Sequence, residues 1–153
     1  DIAARVAKAI VDWNAEVTFV DDTGHWGHGV IDNLLAAGYP AIPIVLSDPA
    51  ISPRYRNRRA ECWLEMAEWV KRGGALPHVP ALVAELTEPT YTFVSGKFLL
   101  EDKAQVKKRL GRSPDLADAL ALSFAIPDQP AASAAGISRQ AVGHALHDGD
   151  PWQ

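Results

Sequence analysis

Apolar side chains at Ile2, Val6 and Ile10, with Ala3 and Ala7 between them, follow the three-and-four spacing of one helix face and predict a helix over residues 1–14. The period then changes. Residues 16–22 are β-branched and aromatic enough to predict a buried strand that stops at Asp21 and Asp22. Gly24, Gly27 and Gly29 make a turn, after which Val30, Ile31, Leu34 and Leu35 give a second helical face ending at Gly38. A second strand, residues 42–46, follows Pro40. Strand, helix and strand joined by so short a crossover predict parallel pairing, and in such sheets functional sites collect at the carboxyl ends of the strands. Asp21 and Asp22 stand at that end.

Residues 47–53 carry two prolines and read as a loop. Ala60, Trp63, Met66, Ala67 and Val70 then repeat at helical spacing and predict a long helix over residues 55–72, closed by Gly73 and Gly74. Pro77 and Pro80 precede a short helix at 81–86, and residues 91–94 and 97–100 flank Ser95-Gly96 as a hairpin. Residues 103–110 predict another helix. The next begins with Ser113 as N-cap and Pro114 at the first helical position, with Leu116, Ala117, Leu120, Ala121 and Phe124 as its buried face. Beyond Ile126 the composition turns to Pro, Ala, Ser and Gly with a weak helical stretch at 138–146, so residues 127–153 are expected to form a tail.

With 153 residues, 48% apolar and 22% charged, the chain is long enough for one α/β domain with its own core, placed at residues 1–126. A net charge of −4 argues against coating nucleic acid through bulk charge, though a local basic face is compatible with it. No apolar run approaches the ~20 residues that span a bilayer, and no signal-peptide pattern opens the chain, so a cytoplasmic protein without a membrane partner is expected. The single cysteine, Cys62, excludes an internal disulfide and falls in an apolar helical pattern, which assigns it to the core.

Two pairs of acids stand out. Asp115 and Asp118 are three apart in a first helical turn and project to one side, a spacing suited to a shared ion, although acids there also offset the helix macrodipole without any metal. Of Asp21 and Asp22, strand alternation lets only one point into a site. All four offer hard oxygen ligands, which select Mg²⁺ or Mn²⁺ and suit metal-dependent phosphate chemistry. The glycines after Asp22 match neither a Walker loop nor a GxGxxG fingerprint, which argues against ATP. His25 and His28 are accompanied by neither HExxH nor a cysteine pair, so zinc is not expected. Arg54, Arg56, Arg58 and Arg59, and the set Lys103, Lys107, Lys108, Arg109 and Arg112, are either solvated faces or grips for a nucleic acid backbone. The second set immediately precedes Asp115.

Four blocks in order, residues 20–34 (from Val20-Asp21-Asp22-Thr23-Gly24), 55–63 (Tyr55 to Trp63), 103–109 and 113–120 (Ser113-Pro114-Asp115-Leu116-Ala117-Asp118), resemble the C-terminal nuclease domain of tailed-phage or prophage large terminase subunits across residues 1–126. That resemblance implies an RNase H-like mixed sheet flanked by helices and a Mg²⁺- or Mn²⁺-dependent endonuclease that cuts concatemeric viral DNA during packaging. By the resemblance Asp21, Asp115 and Asp118 are catalytic and metal-binding, Asp22 is the alternative to Asp21, and Lys103, Lys107, Lys108, Arg109 and Arg112 contact DNA. It further implies double-stranded DNA, the portal and the small terminase subunit as partners in the cytoplasm of a bacterial host. RNase H-like nucleases place a first metal aspartate on the opening strand of a meander, and this sequence begins at the helix that would follow it. The first strands and that aspartate are therefore expected to be missing, leaving an exposed sheet edge through which copies of the chain would pair. The rival expectation is a noncatalytic DNA- or portal-binding packaging module of a prophage remnant; a junction resolvase or transposase ranks below both.

Overall fold

A computed structural model describes residues 1–127. Their elements run α1 (Ile2–Trp13), β1 (Phe19–Asp21), α2 (His28–Ala36), β2 (Ile42–Ile44), α3 (Arg58–Lys71), α4 (Pro80–Thr87), β3 (Tyr91–Val94), β4 (Lys97–Leu100), α5 (Lys103–Leu110) and α6 (Asp115–Leu122), a mixed α/β arrangement. The expected tail, its helical stretch at 138–146 included, lies outside the described residues apart from position 127.

The strands pair as the pattern predicts: β1 runs parallel to β2, with Phe19 opposite Ile42 and Asp21 opposite Ile44, and β3 runs antiparallel to β4. Among the described residues these make two separate two-stranded sheets. Both β1 and β2 are shorter than expected, and side-chain chemistry explains where β2 ends. The Leu46 N–H is taken by Thr23 Oγ1 at 2.9 Å and the Leu46 carbonyl by the Arg59 N–H at 3.0 Å, so residue 46 serves loops rather than a ladder. The β3–β4 turn matches the expected boundaries because Ser95 and Gly96 both adopt positive φ, 51° and 73°, the mirror-image turn whose twist suits a two-residue hairpin.

Helix ends follow local chemistry. Asp1 caps α1 by accepting from the Ala3 N–H at 3.1 Å. Helix α3 starts at Arg58 rather than at residue 55, because Tyr55 forms a bridge to Phe98 of β4 and Asn57 then caps the helix through the Ala60 N–H at 2.9 Å. Helix α6 departs most from expectation. Pro114 occupies the cap position without any side-chain cap bond, so Ser113 is not the N-cap. The cap comes instead from across the fold: Glu85 of α4, fully buried, accepts from the Ala117 N–H at 2.9 Å and pairs with Arg112. Docked this way, α6 leaves Leu116 at 47% exposure, contrary to its expected place on the buried face, and turns Asp118 inward.

The main core gathers α3, α4, α6, β2 and β4 around Tyr55, Cys62, Trp63, Met66 and Leu100. Ala60 of α3 and Ala117 and Ala121 of α6 are all essentially without exposure, so small side chains let these two helices approach closely. A second cluster, Ala3, Ile31, Leu34 and Ala41, seats α1 and α2. Cys62 is buried as expected, and burial pushes its thiol up to about 11, far from the thiolate a nucleophile needs. Glu61 staples the loop before α3. Burial works against its carboxylate, but the N–H groups of Ser52 (2.8 Å) and Ile51 (3.0 Å) and the Arg58 guanidinium (2.7 Å) outweigh that and hold its pKa below the usual range.

Candidate metal centre

The first turn of α6 sets a buried carboxylate beside the main core. Asp118 is 9% exposed, and its Oδ1 accepts from Trp63 Nε1 of α3 at 3.0 Å, a bond that fixes the carboxylate against the long helix. Its Oδ2 is buried and has no hydrogen-bond partner of good geometry, though the Lys103 ammonium lies 2.7 Å away. Lys103 also lies 3.9 Å from Asp115, whose side chain is 78% exposed. Asp115 and Asp118 thus face one ammonium, one from solvent and one from the interior. Arg59 closes the other side: it sits over the Trp63 ring at 5.7 Å, donates to the Glu101 carbonyl at 2.7 Å and brings Nη2 within 3.6 Å of Asp118 Oδ1. Trp63 and Arg59 were not singled out for this role by the sequence. The signal was their shared helical face.

At the end of β1 the two aspartates part as alternation requires. Asp21 is exposed, and its Oδ1 accepts from the Thr23 N–H at 2.9 Å and the Thr23 hydroxyl at 2.5 Å, which makes it the former of a tight turn. Asp22 turns inward to 5% exposure; its Oδ2 lies 3.3 Å from His28 Nδ1 and 3.7 Å from His25 Nδ1, and its buried Oδ1 has no partner among the described residues. Gly27 is what lets the chain fold over here: a Cβ at that position would stand 2.4 Å from the Asp21 carbonyl oxygen, so no other residue fits without moving the backbone.

The two acidic ends are tied together by a bonded path. Asp21 holds Thr23, the Thr23 hydroxyl holds Leu46, and the Leu46 carbonyl receives the N–H of Arg59, whose guanidinium faces Asp118. Among the described residues, however, Asp21, Asp115 and Asp118 do not form a group with all ligand atoms within 4.8 Å, whereas Asp22, His25 and His28 do.

The basic set divides. Lys103 belongs to the carboxylates, and Lys107 and Lys108 are exposed on α5 with no carboxylate partner among the described residues. Arg109 is engaged by Glu88 at 2.5 Å and by Glu101 at 2.7 Å, and Arg112 by Glu85 and the Ala81 carbonyl. The Arg109 guanidinium, with the Thr90 N–H, holds the Glu101 carboxyl down at about 2. In the earlier run, Arg58 is committed to Glu61 and the Ala125 carbonyl, while Arg54 and Arg56 remain exposed near Tyr55. No helix of the described residues is long and apolar enough to cross a membrane.

No protein-family model matches the sequence, and no curated protein matches it. Solved structures do match the fold. The nuclease domain of the large terminase subunit gp2 of bacterial virus Sf6 superposes with a TM-score of 0.64 at 23% identity, covering 82% of this chain and 72% of that one. A mutant of that domain solved with calcium gives 0.64 at 22% identity, over 82% and 71% of the two chains. A mutant solved with manganese gives 0.61 at 21%, over 82% and 72%. The chain accordingly has the fold of a phage large-terminase nuclease domain.

Proposed function

We propose that this chain is a divalent-metal-dependent DNA endonuclease domain of the phage large-terminase type, with an RNase H-like core. The observation that carries the reading is Asp118: a carboxylate clamped by Trp63 at 3.0 Å, its buried Oδ2 facing the Lys103 ammonium at 2.7 Å beside the exposed Asp115. A buried carboxylate oxygen is costly unless a cation faces it; Lys103 does so here, a divalent ion would compete for the same place, and a set of hard oxygens fits Mg²⁺ or Mn²⁺. Asp115, Asp118 and Asp21, with Asp22 as the alternative to Asp21, are the residues that would hold such ions. Such ions, when bound, would supply activation of water and stabilisation of the leaving oxygen of a phosphodiester.

The chain's own groups divide the remaining work. Trp63 and Arg59 keep Asp118 in one orientation, and Glu85 fixes the turn that presents both α6 carboxylates. Lys103 offsets part of the pair's charge, and Lys107 and Lys108, without a carboxylate partner among the described residues, offer contacts to phosphates of double-stranded DNA. Arg109 and Arg112 are further DNA contacts only where their carboxylate partners release them. Cutting of concatemeric DNA in a bacterial host, and contact with a portal and a small terminase subunit, belong to the same reading. So does pairing of copies along an unpaired edge of the β1–β2 sheet, which a monomer mass in light scattering would exclude.

The test is nicking of supercoiled plasmid with Mn²⁺, with EDTA and with Asp118→Asn, a substitution that keeps an acceptor for Trp63. Metal-dependent nicking lost in the variant supports the assignment; nicking that survives the substitution removes Asp118 from the mechanism. Metal-independent DNA binding without nicking favours a binding module instead.

A further inference from the structure

We infer a second cation site, of different chemistry, at Asp22, His25 and His28: a surface site for a borderline first-row divalent ion of the Zn²⁺ class. No zinc motif stands in the sequence, yet the turn after β1 brings three candidate ligands together. The ligand atoms of all three side chains lie within 4.8 Å of one another. His28 Nδ1 is 3.3 Å and His25 Nδ1 is 3.7 Å from the same oxygen, Asp22 Oδ2. Bonds of about 2.0–2.1 Å at a tetrahedral angle place neighbouring ligand atoms about 3.3 Å apart, so both separations are close to the edges of such a site.

Independent support comes from Asp22 itself. Its side chain is only 6% exposed, and its Oδ1 has no hydrogen-bond partner among the described residues. A simple hydrogen bond from His28 to Oδ2 explains one contact and leaves both the orphaned oxygen and the convergence of His25 without a cause. A cation held by both Asp22 oxygens and the two imidazoles would account for them together. Two imidazoles with one carboxylate select Zn²⁺, Ni²⁺ or Co²⁺ over Mg²⁺, which prefers an all-oxygen shell and keeps its waters. With His25 and His28 facing solvent, three protein ligands leave a fourth position open to water or to a ligand from outside. The site is built from one turn, whose path Gly27 fixes.

The experiment titrates Zn²⁺ alone, at micromolar concentration against a chromophoric chelator, into the whole chain and into the double variant His25→Ala/His28→Ala. Co²⁺ absorption reports the coordination geometry. Both imidazoles are exposed, so the core is undisturbed, and the single His25→Gln and His28→Gln variants repeat the measurement should the double variant fail to fold. One Zn²⁺ equivalent, lost in the double variant, at least about tenfold weaker in the single ones, resistant to excess Mg²⁺ and unchanged in Asp115→Asn and Asp118→Asn, is the expected result. Absence of Zn²⁺ binding, or binding with the same stoichiometry and affinity in the histidine variants, overturns the proposal. Other histidines, such as His78, then account for any ion retained. Neither outcome depends on nicking, and the histidine variants leave Asp21, Asp115 and Asp118 untouched, so failure of this site is distinguishable from failure of the nuclease reading.

Discussion

Replacing Glu85 should do more damage than its distance from the carboxylates suggests. Glu85 has no exposed surface; it accepts from the Ala117 N–H at 2.9 Å and pairs with Arg112, whose side chain is 46% exposed. In Glu85→Ala the Ala117 N–H, one of the free donors at the start of α6, loses its only partner inside a packed interface. An unsatisfied buried donor costs about 1–3 kcal/mol, and the lost methylenes add a small cavity. Arg112 adds little, because a half-exposed guanidinium can return to water. The sum is about 2–3 kcal/mol, or roughly 6–12 °C in Tm at about 3–4 °C per kcal/mol for a domain of this size. In Glu85→Gln the amide oxygen still accepts from Ala117, so about 1 kcal/mol is expected. Thermal or urea unfolding of both variants and of Arg112→Ala measures these values. A Glu85→Ala loss below about 0.5 kcal/mol, or equal losses in the Ala and Gln variants, would falsify the remote cap.

Other consequences are as direct. Lys103→Met removes the ammonium 2.7 Å from Asp118 Oδ2, so Mn²⁺ should bind several-fold more tightly by calorimetry; unchanged or weaker binding would show that Lys103 does not compete for that oxygen. Burial, with the bond to Glu65 at 2.7 Å, raises the Tyr55 hydroxyl to about 12. Its contribution to stability is therefore complete below pH 10, the usual tyrosine value, and lost as pH rises to about 12. An absorbance titration should contain a tyrosinate step near 12 that disappears in Tyr55→Phe, and no change in that variant would refute the assignment. Glu101, at about 2, behaves oppositely: its contribution is present above 4.5 and fades as pH falls toward 2. Carboxyl NMR should show the depressed titration in the intact chain and recover toward the ordinary range in Arg109→Ala, and a titration that does not move removes Arg109 as its cause.

Local pattern sufficed wherever an element is specified by its own residues. The β3–β4 hairpin and α5 occupy the expected positions because Ser95-Gly96 suits its turn and Asp102 caps α5 through the Ala104 N–H at 2.8 Å. Failures came where a distant side chain intervenes. Ser113 was expected to cap α6 and Leu116 to be buried, but Glu85 supplies the cap from α4 and the helix docks with Asp118 inward. One clue was present: Glu85 falls between Leu82 and Leu86 on the apolar face of α4, and a charge on a core face implies a partner inside. The acids at 21, 22, 115 and 118 were legible as strand-end and helix-start features. Which of each pair is buried was not, because that depends on how β1 and α6 are rotated against their neighbours.

The buried Cys62 has a practical corollary. With its thiol at about 11, 0% exposed, and no other cysteine in the sequence, the native chain should be silent to maleimides under folding conditions. A cysteine introduced on the exposed face of α5, at Gln105, would then be the sole reactive handle, leaving Lys107 and Lys108 in place and without first deleting a native thiol from the core. A fluorophore attached there would test the proposed DNA docking beside the Asp115 carboxylate through a change in emission, in a chain whose interior had been left intact.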